Sequence, residues 1–374
     1  MHILISALSR FSKPTGLCRH AANLAQCLAI SNKASKITLV VGAWQKYYFQ
    51  TSFKLDLDKI TLVSVDIKNN SLSRNVWFAY SLPRLANSLD SDIVHLSFPI
   101  PFFRSLFSSP IIVTVHDLYP YDFPANFGFP NALFNRLFLK QCINNSDGII
   151  CVSHCTLERL KSHFVNITLR KQTDVIYNYI DFSYTPPKIP KVNNITEFPF
   201  LLSVAQHRKN KNLDLLIKSY SYLINKDKIQ KQTKLIIVGS SGGETENIRS
   251  LISRLSVQEH VLLLSSIDDG ELCWLYQNCD LFISPSSTEG FCLPLAEALY
   301  FSCKVVCSNI PIFREIGASK CTYFNLQDEP LKNLSQAIVN CLQQPHPNST
   351  PDIITLFSKA SSSSQHLEFY SKFI

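Results

Sequence analysis

Short apolar runs alternate with helix-spaced segments along nearly the whole chain, and the alternation is interrupted once, near the middle. In the first half HILISAL (2–8), KITLVVGA (36–43), DIVHLSF (92–98), IIVTVHD (111–117), GIICVS (148–153) and DVIYN (174–178) read as buried strands. GLCRHAANLAQCLAI and FPNALFNRLFLKQCINN, between them, carry helical spacing of apolar residues. Strands that alternate with helices imply a parallel sheet covered on both faces. The stretch YTPPKIPKVNNITEFP (184–199) then breaks the pattern, rich in Pro and Asn and without apolar period, as a linker is. Beyond it FLLSV, KLIIVG, VLLLSS, LFISPS and KVVCS restart the alternation. The expected architecture is α/β: two doubly wound parallel-sheet domains, residues 1–185 and 186–374, with the last helix and its aromatic ending FYSKFI packing back onto the first domain. A length of 374 residues suits two cores, and 46% apolar content is ample to fill them. Open parallel sheets bind ligands beyond the carboxyl ends of their strands, so two such sheets imply a site in the cleft where they face.

Charge narrows the partners. The net charge is +8, and all of it comes from residues 1–190, with 19 Lys and Arg against 11 Asp and Glu; residues 191–374 hold 17 of each. A basic half suits an anionic surface such as phospholipid or lipid-linked phosphate. Nucleic acid is not expected, because there is no dense Lys/Arg run and no RNA-type aromatic motif. FFRSLF (102–107) and NFGFPNALFNRLFLK mix aromatics with Arg and Lys, and either form a membrane-facing edge or bury their rings while the charges snorkel. MHILISALSRF has neither a basic start nor a small-residue cleavage site, and no apolar run nears the ~20 residues that span a bilayer. With twelve cysteines scattered through strands and helices, the expectation is a cytoplasmic chain with reduced thiols, working at the inner face of the membrane. Cys151, His154 and Cys155, or Cys303 and Cys307, are weak metal candidates, since no second pair stands at zinc-site spacing.

One junction is chemically unusual. SPSSTEGFCLPLAEALYFSCKVVCSN (284–309) carries Glu289 and Glu297 inside an otherwise apolar strand-to-helix passage. A turn at Gly290 opening a helix would expose unpaired amides and the positive end of the helix dipole to an anion. If that helix starts at Gly290, eight residues at ~100° each leave Glu297 within ~80° of the helix-start direction. Two carboxylates so placed accept hydrogen bonds from sugar or ribose hydroxyls. The alternative is a Glu289 that favours the dipole and a solvated Glu297.

EGFCLPLAEAL, preceded by SPSS, resembles the signature of the retaining family-4 glycosyltransferases, which have the GT-B architecture of two Rossmann-like domains facing across a cleft. LLSVAQHRKNKNLDLLIKSY is similar to their phosphate-binding segment, PTGLCRHAANLAQCL to their N-terminal glycine loop and helix, and VTVHDLYPYDFP to their acceptor-side His-Asp segment. The resemblance covers about residues 1–343. It implies transfer of a sugar from a nucleotide-diphosphate sugar to a saccharide or lipid-linked acceptor, in cell-envelope polysaccharide or lipopolysaccharide synthesis. By resemblance, Lys211 neutralises the leaving diphosphate and Glu289 faces the transferred sugar. Glu297 holds the donor ribose, and Gly290, Phe291, Cys292 and Leu293 offer amides to sugar and phosphate. Gly16 lets the backbone approach the diphosphate, and His116 is a hydrogen-bond partner for a sugar or the acceptor; Arg19 and His20 are lesser candidates. Two departures stand out. Gln206 sits where the family usually has arginine, with Arg208 as its substitute, and Cys292 replaces a common glycine.

Lysine and helix amides suffice for charge neutralisation, so no metal cofactor is expected. Asp56-Leu-Asp58 and Asp90-Ser-Asp92 copy the Asp-x-Asp pair of metal-dependent transferases of another fold, but read as solvated or capping carboxylates. A nicotinamide oxidoreductase is excluded because LISALSRFSKPTG lacks G-x-G-x-x-G. A nucleotide-sugar epimerase of the same fold and a non-catalytic nucleotide-sugar-binding protein remain as alternatives.

Overall fold

The computed structural model describes the chain except for Pro14, Lys54, Asp56, Leu57, 125–127, Phe129, Tyr184 and 348–354. The first Asp-x-Asp candidate and part of the aromatic stretch after residue 125 therefore lie outside the described residues. The chain divides into two units, Met1–Tyr179 with Phe357–Ile374, and Ile180–Leu356.

In the first unit β1 (His2–Ser6), β2 (Lys36–Gly42), β3 (Ile60–Val65), β4 (Ile93–Leu96), β5 (Ile111–Val115), β6 (Gly148–Cys151) and β7 (Gln172–Val175) form one parallel sheet in the order β3-β2-β1-β4-β5-β6-β7. The second unit holds β8 (Phe200–Val204), β9 (Lys234–Val238), β10 (Val261–Leu264), β11 (Leu281–Ser284), β12 (Val305–Ser308) and β13 (Thr322–Phe324), parallel in the order β10-β9-β8-β11-β12-β13. These are two doubly wound α/β domains of Rossmann type, each with a point where strand order reverses: between β1 and β4, and between β8 and β11. Sequence reading missed only β3 and β13 among these strands. Both are sheet edges, and their half-exposed residues lack the continuous apolar run that marks a strand buried on two faces.

Alternation along β1 sorts the core of the first unit. Ile3 and Ile5 pack with the Gly16–Ala29 helix, with Tyr48 and Phe49, and with the last helix, Lys359–Tyr370. Leu4 points to the opposite layer, among Trp77, Phe78, Leu139 and Leu160. The last helix thus belongs to the first unit, and the second unit ends at Leu356. The elements of that second layer also leave large apolar side chains exposed: Leu72, Val76, Tyr80, Phe103, Leu106, Leu133, Phe134 and Leu137. The expected aromatic edge is therefore divided, with Phe102, Phe107 and Leu139 in the core. Among the described residues no helix is long and apolar enough to cross a membrane. All twelve cysteines are free, and no group of three or more His, Cys, Asp or Glu is placed to hold a metal among the described residues. Asp92 caps the sheet by accepting from the His2 amide at 2.6 Å.

Four histidines are packed around the strand-reversal point of this unit. His95 on β4 bonds Tyr370 and Thr114, and His366 stands with its ring 6.0 Å from His95. His20 and His116 meet edge-to-face at 4.5 Å. Burial, and then the neighbouring imidazoles, hold His20 and His95 well below the usual histidine range, and burial takes His116 and His366 down to about 4. The unfolded chain protonates these rings near pH ~6.5 while the folded chain resists, so their contribution to stability is lost as pH falls from there toward 4. The thermal midpoint of the first unit is expected to drop by about 5 °C or more between pH 7 and pH 5, with a shallower slope in His366→Gln. Calorimetry across that range checks it, and an unchanged slope in the variant refutes the assignment.

Candidate active site

The reversal point between β8 and β11 seats the two loops that carry most of the second unit's expected site. The loop after β8 lies so close to the one after β9 that a Cβ on Gly239 would stand 1.9 Å from the Ala205 carbonyl oxygen, which makes glycine obligatory there. A single 3-10 turn, Lys209–Lys211, follows, and Asn212, at φ +48°, turns the chain into the Leu213–Asn225 helix. Asparagines on either side of Lys211 stitch this turn to the loop after β11. Asn210 Nδ2 donates to the Thr288 carbonyl at 3.2 Å and Asn212 Nδ2 to that of Pro285 at 2.9 Å, while the Ser287 amide donates to the Asn210 carbonyl at 2.8 Å.

Between the stitches, Lys211 forms a short ion pair with Glu289. Both side chains are largely buried, at 18% and 7% exposure. Burial works against the ammonium, yet Glu289's charge and hydrogen bond outweigh it, and Lys211 titrates above an ordinary lysine. It is therefore a permanent cation at neutral pH. Arg208 is exposed and near enough for its charge to oppose that of Lys211; its guanidinium has no hydrogen bond or ion pair among the described residues. Gln206, at the departure from the family pattern, spends its carbonyl on the Arg208 amide at 2.7 Å.

The helix after β11 begins later than expected. It spans Leu293–Tyr300, so Gly290 and Glu289 lie in the preceding loop and the helical-wheel relation between the two glutamates does not hold. Pro294 and the backbone of Cys292 set this start. Cys292 is the N-cap at φ +68°, ψ 72°, a left-handed conformation that glycine adopts freely and cysteine does not. Pro294 has no N–H and the Leu295 amide is taken by the Cys292 carbonyl, which leaves Leu293 as the first-turn amide with no partner among the described residues. Phe291 is buried, and burial, then the Glu289 charge, pushes the Cys292 thiol up to about 12. Glu297, on the helix, is buried and accepts from the phenol of Tyr276 at 2.8 Å. Tyr276, Asn210 and Asn212 escaped the sequence reading. The Asn-Lys-Asn run is a readable signal, whereas Tyr276 is 21 positions from its partner and carries none.

In the first unit, Gly16 opens the Gly16–Ala29 helix behind a Thr15 N-cap, and a Cβ on it would meet nothing within 4 Å. Open space, not backbone strain, is what glycine provides here. His116, just past β5, shares its Nε2 proton with the Ser97 carbonyl at 2.8 Å, so the neutral ring keeps Nδ1 as an acceptor with no partner among the described residues. His20 Nδ1 meets Asn178 Oδ1 at 2.8 Å. Asp117 Oδ1 accepts from the Tyr119 amide at 3.1 Å, and Arg19 lies over the Phe53 ring.

Two substitutions in the loop after β11 should move stability in opposite directions. Cys292→Gly relieves the left-handed cysteine and is expected to gain about 1 kcal/mol, whereas Glu289→Gln strands the buried Lys211 charge and loses about 3 kcal/mol. Denaturant unfolding of both variants measures this, and equal effects would contradict the loop geometry.

Residues 14–184 match the family model described as Glycosyltransferase Family 4, and residues 186–348 the one described as Glycosyl transferases group 1. The O-antigen chain mannosyltransferase RfbU of Salmonella typhimurium is 26% identical over 353 residues, 91% of this chain and 92% of that protein. A Campylobacter jejuni N-acetylgalactosaminyltransferase acting on a diphospho-undecaprenol is 31% identical over 179 residues, covering 48% of this chain and 46% of its own length. Among solved structures, Anabaena HepE in complex with UDP and glucose superposes with a TM-score of 0.72 at 16% identity, covering all of both chains. Sucrose-phosphate synthase from Thermosynechococcus elongatus does so at 0.73 and 16%, over 99% and 98% of the two chains. The relatives are named transferases, which favours group transfer over the epimerase alternative. The chain belongs to the family-4 type of glycosyltransferases and has their GT-B fold.

Proposed function

We propose that the enzyme is a retaining, metal-independent transferase that moves a sugar from a nucleotide-diphosphate sugar to a saccharide or lipid-linked acceptor in cell-envelope polysaccharide synthesis. The observation that carries this reading is the buried Lys211–Glu289 pair at the strand-reversal point of the second unit, with Arg208 exposed beside it. Cleaving the donor leaves negative charge on diphosphate oxygens, and a preorganised cation in a site that excludes water stabilises charge as it develops. Lys211 supplies that charge and has protons to share between Glu289 and the phosphate; Arg208 adds a second cation where Gln206 cannot. The Leu293 amide contributes one backbone donor, with the turn at Gly290, Phe291 and Cys292 shaping the sugar pocket. Glu289 lines that pocket, and Glu297 accepts from the ribose hydroxyls.

The acceptor oxygen attacks the anomeric carbon from the face the diphosphate leaves. The carbon–phosphate-oxygen bond breaks, the new glycosidic bond forms, and the acceptor proton passes to the departing phosphate oxygen. Configuration is retained without a covalent sugar–enzyme stage. His116, neutral and with Nδ1 as acceptor, takes a hydrogen bond from a sugar or acceptor hydroxyl and does not serve as a general acid at neutral pH. Named mannosyl- and N-acetylgalactosaminyltransferases among the relatives, and the UDP bound to Anabaena HepE, support a nucleotide-sugar donor.

The acceptor side draws on the uneven surface of the first unit. It exposes large apolar side chains between Leu72 and Leu137 together with Arg84 and Lys140, and the excess positive charge of the chain lies in this half. Exposed apolar side chains on a basic half of the chain fit the headgroup region of an anionic bilayer at its cytoplasmic face, where a lipid-linked acceptor would be met.

A thermal-shift screen against UDP, GDP, ADP and their sugar conjugates, with chelator present, tests the donor site. One nucleotide should raise the midpoint of wild type and not that of Glu297→Ala, and Lys211→Ala should lower turnover by about a hundred-fold or more. No shift with any nucleotide would return weight to a non-catalytic protein with a site weakened at Gln206. For the membrane, sedimentation with phosphatidylglycerol vesicles should capture the protein at low salt and release it at high salt, with Phe134→Ser/Leu137→Ser binding less. Failure to sediment at low salt removes the membrane contact.

A further inference from the structure

Glu297 is 8% exposed, and a carboxylate that deep needs hydrogen-bond donors or a counter-charge. The phenol of Tyr276 is one donor, 2.8 Å from Oε2. The same hydroxyl lies 3.3 Å from the Pro294 carbonyl, but its single proton favours the nearer, charged acceptor. Tyr276 is itself held firmly. Its ring stacks on Phe301 at 5.6 Å with 13° between the planes and tilts against Phe282 at 5.8 Å, and its carbonyl accepts from Cys303 Sγ at 3.1 Å. Phe301 caps the C-terminal end of the Leu293–Tyr300 helix, so the ring is keyed to the helix that carries Glu297. Burial, followed by the charge of Glu297, pushes the phenol well above the usual tyrosine range, and it stays a donor at any working pH.

We propose that Tyr276 is a positioning residue for the donor: its phenol anchors Oε2 and so orients the Glu297 carboxylate toward the ribose hydroxyls. The inference rests on the ribose role of Glu297 proposed above. The terminal torsion of a glutamate is broad, and a fixed bond to one oxygen narrows it. Without the anchor, the carboxylate must be ordered at each binding event, and that cost falls on donor affinity. Tyr276 acts through Glu297 and not on the reacting atoms, so its loss belongs in KM and not in kcat.

Tyr276→Phe removes one oxygen and keeps the ring stack. Calorimetric titration of UDP, GDP, ADP and their 2′-deoxy counterparts into wild type, Y276F, E297A and the double variant separates the possibilities. Y276F is expected to weaken the preferred ribonucleotide about ten-fold, to narrow its advantage over the 2′-deoxy form, and to add little in the E297A background. Donor KM should rise with kcat within about two-fold. A tyrosine that only fills the core would lower the thermal midpoint without touching ribose discrimination. Wild-type affinity and discrimination in Y276F, or an effect that adds independently to E297A, overturns the proposal and leaves the role of Glu297 standing. Wild-type binding by E297A removes that role and the Tyr276 proposal with it, as does the absence of ribonucleotide binding to wild type. Should Y276F not fold, Glu297→Asp draws the carboxylate back from the phenol with the ring stack intact and is judged by the same ribose discrimination.

Discussion

A parallel sheet leaves neither face to water, and that constraint organises both units of this protein. Each sheet must be wound first one way and then the other to be covered on two sides, and the reversal parts two adjacent loops at the carboxyl end. In the second unit those loops follow β8 and β11, and they carry Lys211, Glu289 and, on the helix beyond, Glu297. In the first unit the same reversal, between β1 and β4, gathers His95 with His20, His116 and His366. Polar chemistry collects where the hydrophobic requirement leaves an opening.

Charge in such an opening has to be matched within the protein. Lys211 and Glu289 answer one another, and the asparagines flanking Lys211 tie its turn to the carbonyls of the opposite loop. Glu297 is met by a phenol from a different helix. The histidines of the first unit take the other solution: buried without counter-charge, they stay neutral. One unit therefore holds its buried charges as matched pairs, and the other keeps its buried rings uncharged.

Much of this was legible before any coordinates. Continuous apolar runs identified the buried strands, whereas the units divide at Tyr179–Ile180, just before the Pro- and Asn-rich stretch. Strands β3 and β13 were not legible, because Thr61 and Ser64 interrupt the apolar run of the first and the second is only three residues long. Glu289 and Glu297 stand out in the sequence by their apolar setting, but the helical-wheel relation expected between them does not hold. It assumed a helix from Gly290, and Pro294 with the left-handed Cys292 delays that helix to Leu293. Glu289 thus lies in the loop and Glu297 on the helix that follows it, not on one helical face.

By itself, the sequence determined the elements and their chemistry: parallel strands from runs of Ile, Leu and Val, two domains from one break, and two glutamates singled out by an apolar context that does not tolerate idle charge. Those properties are local, set by burial periodicity and by the cost of desolvating a charge. Tertiary structure decided the pairings. It brought Lys211 to Glu289 across 78 positions and Tyr276 to Glu297 across 21, and put a cysteine where the backbone favours glycine. Partners distant in sequence share no periodicity, so their meeting follows from sheet order and loop closure, which exist only in the folded chain.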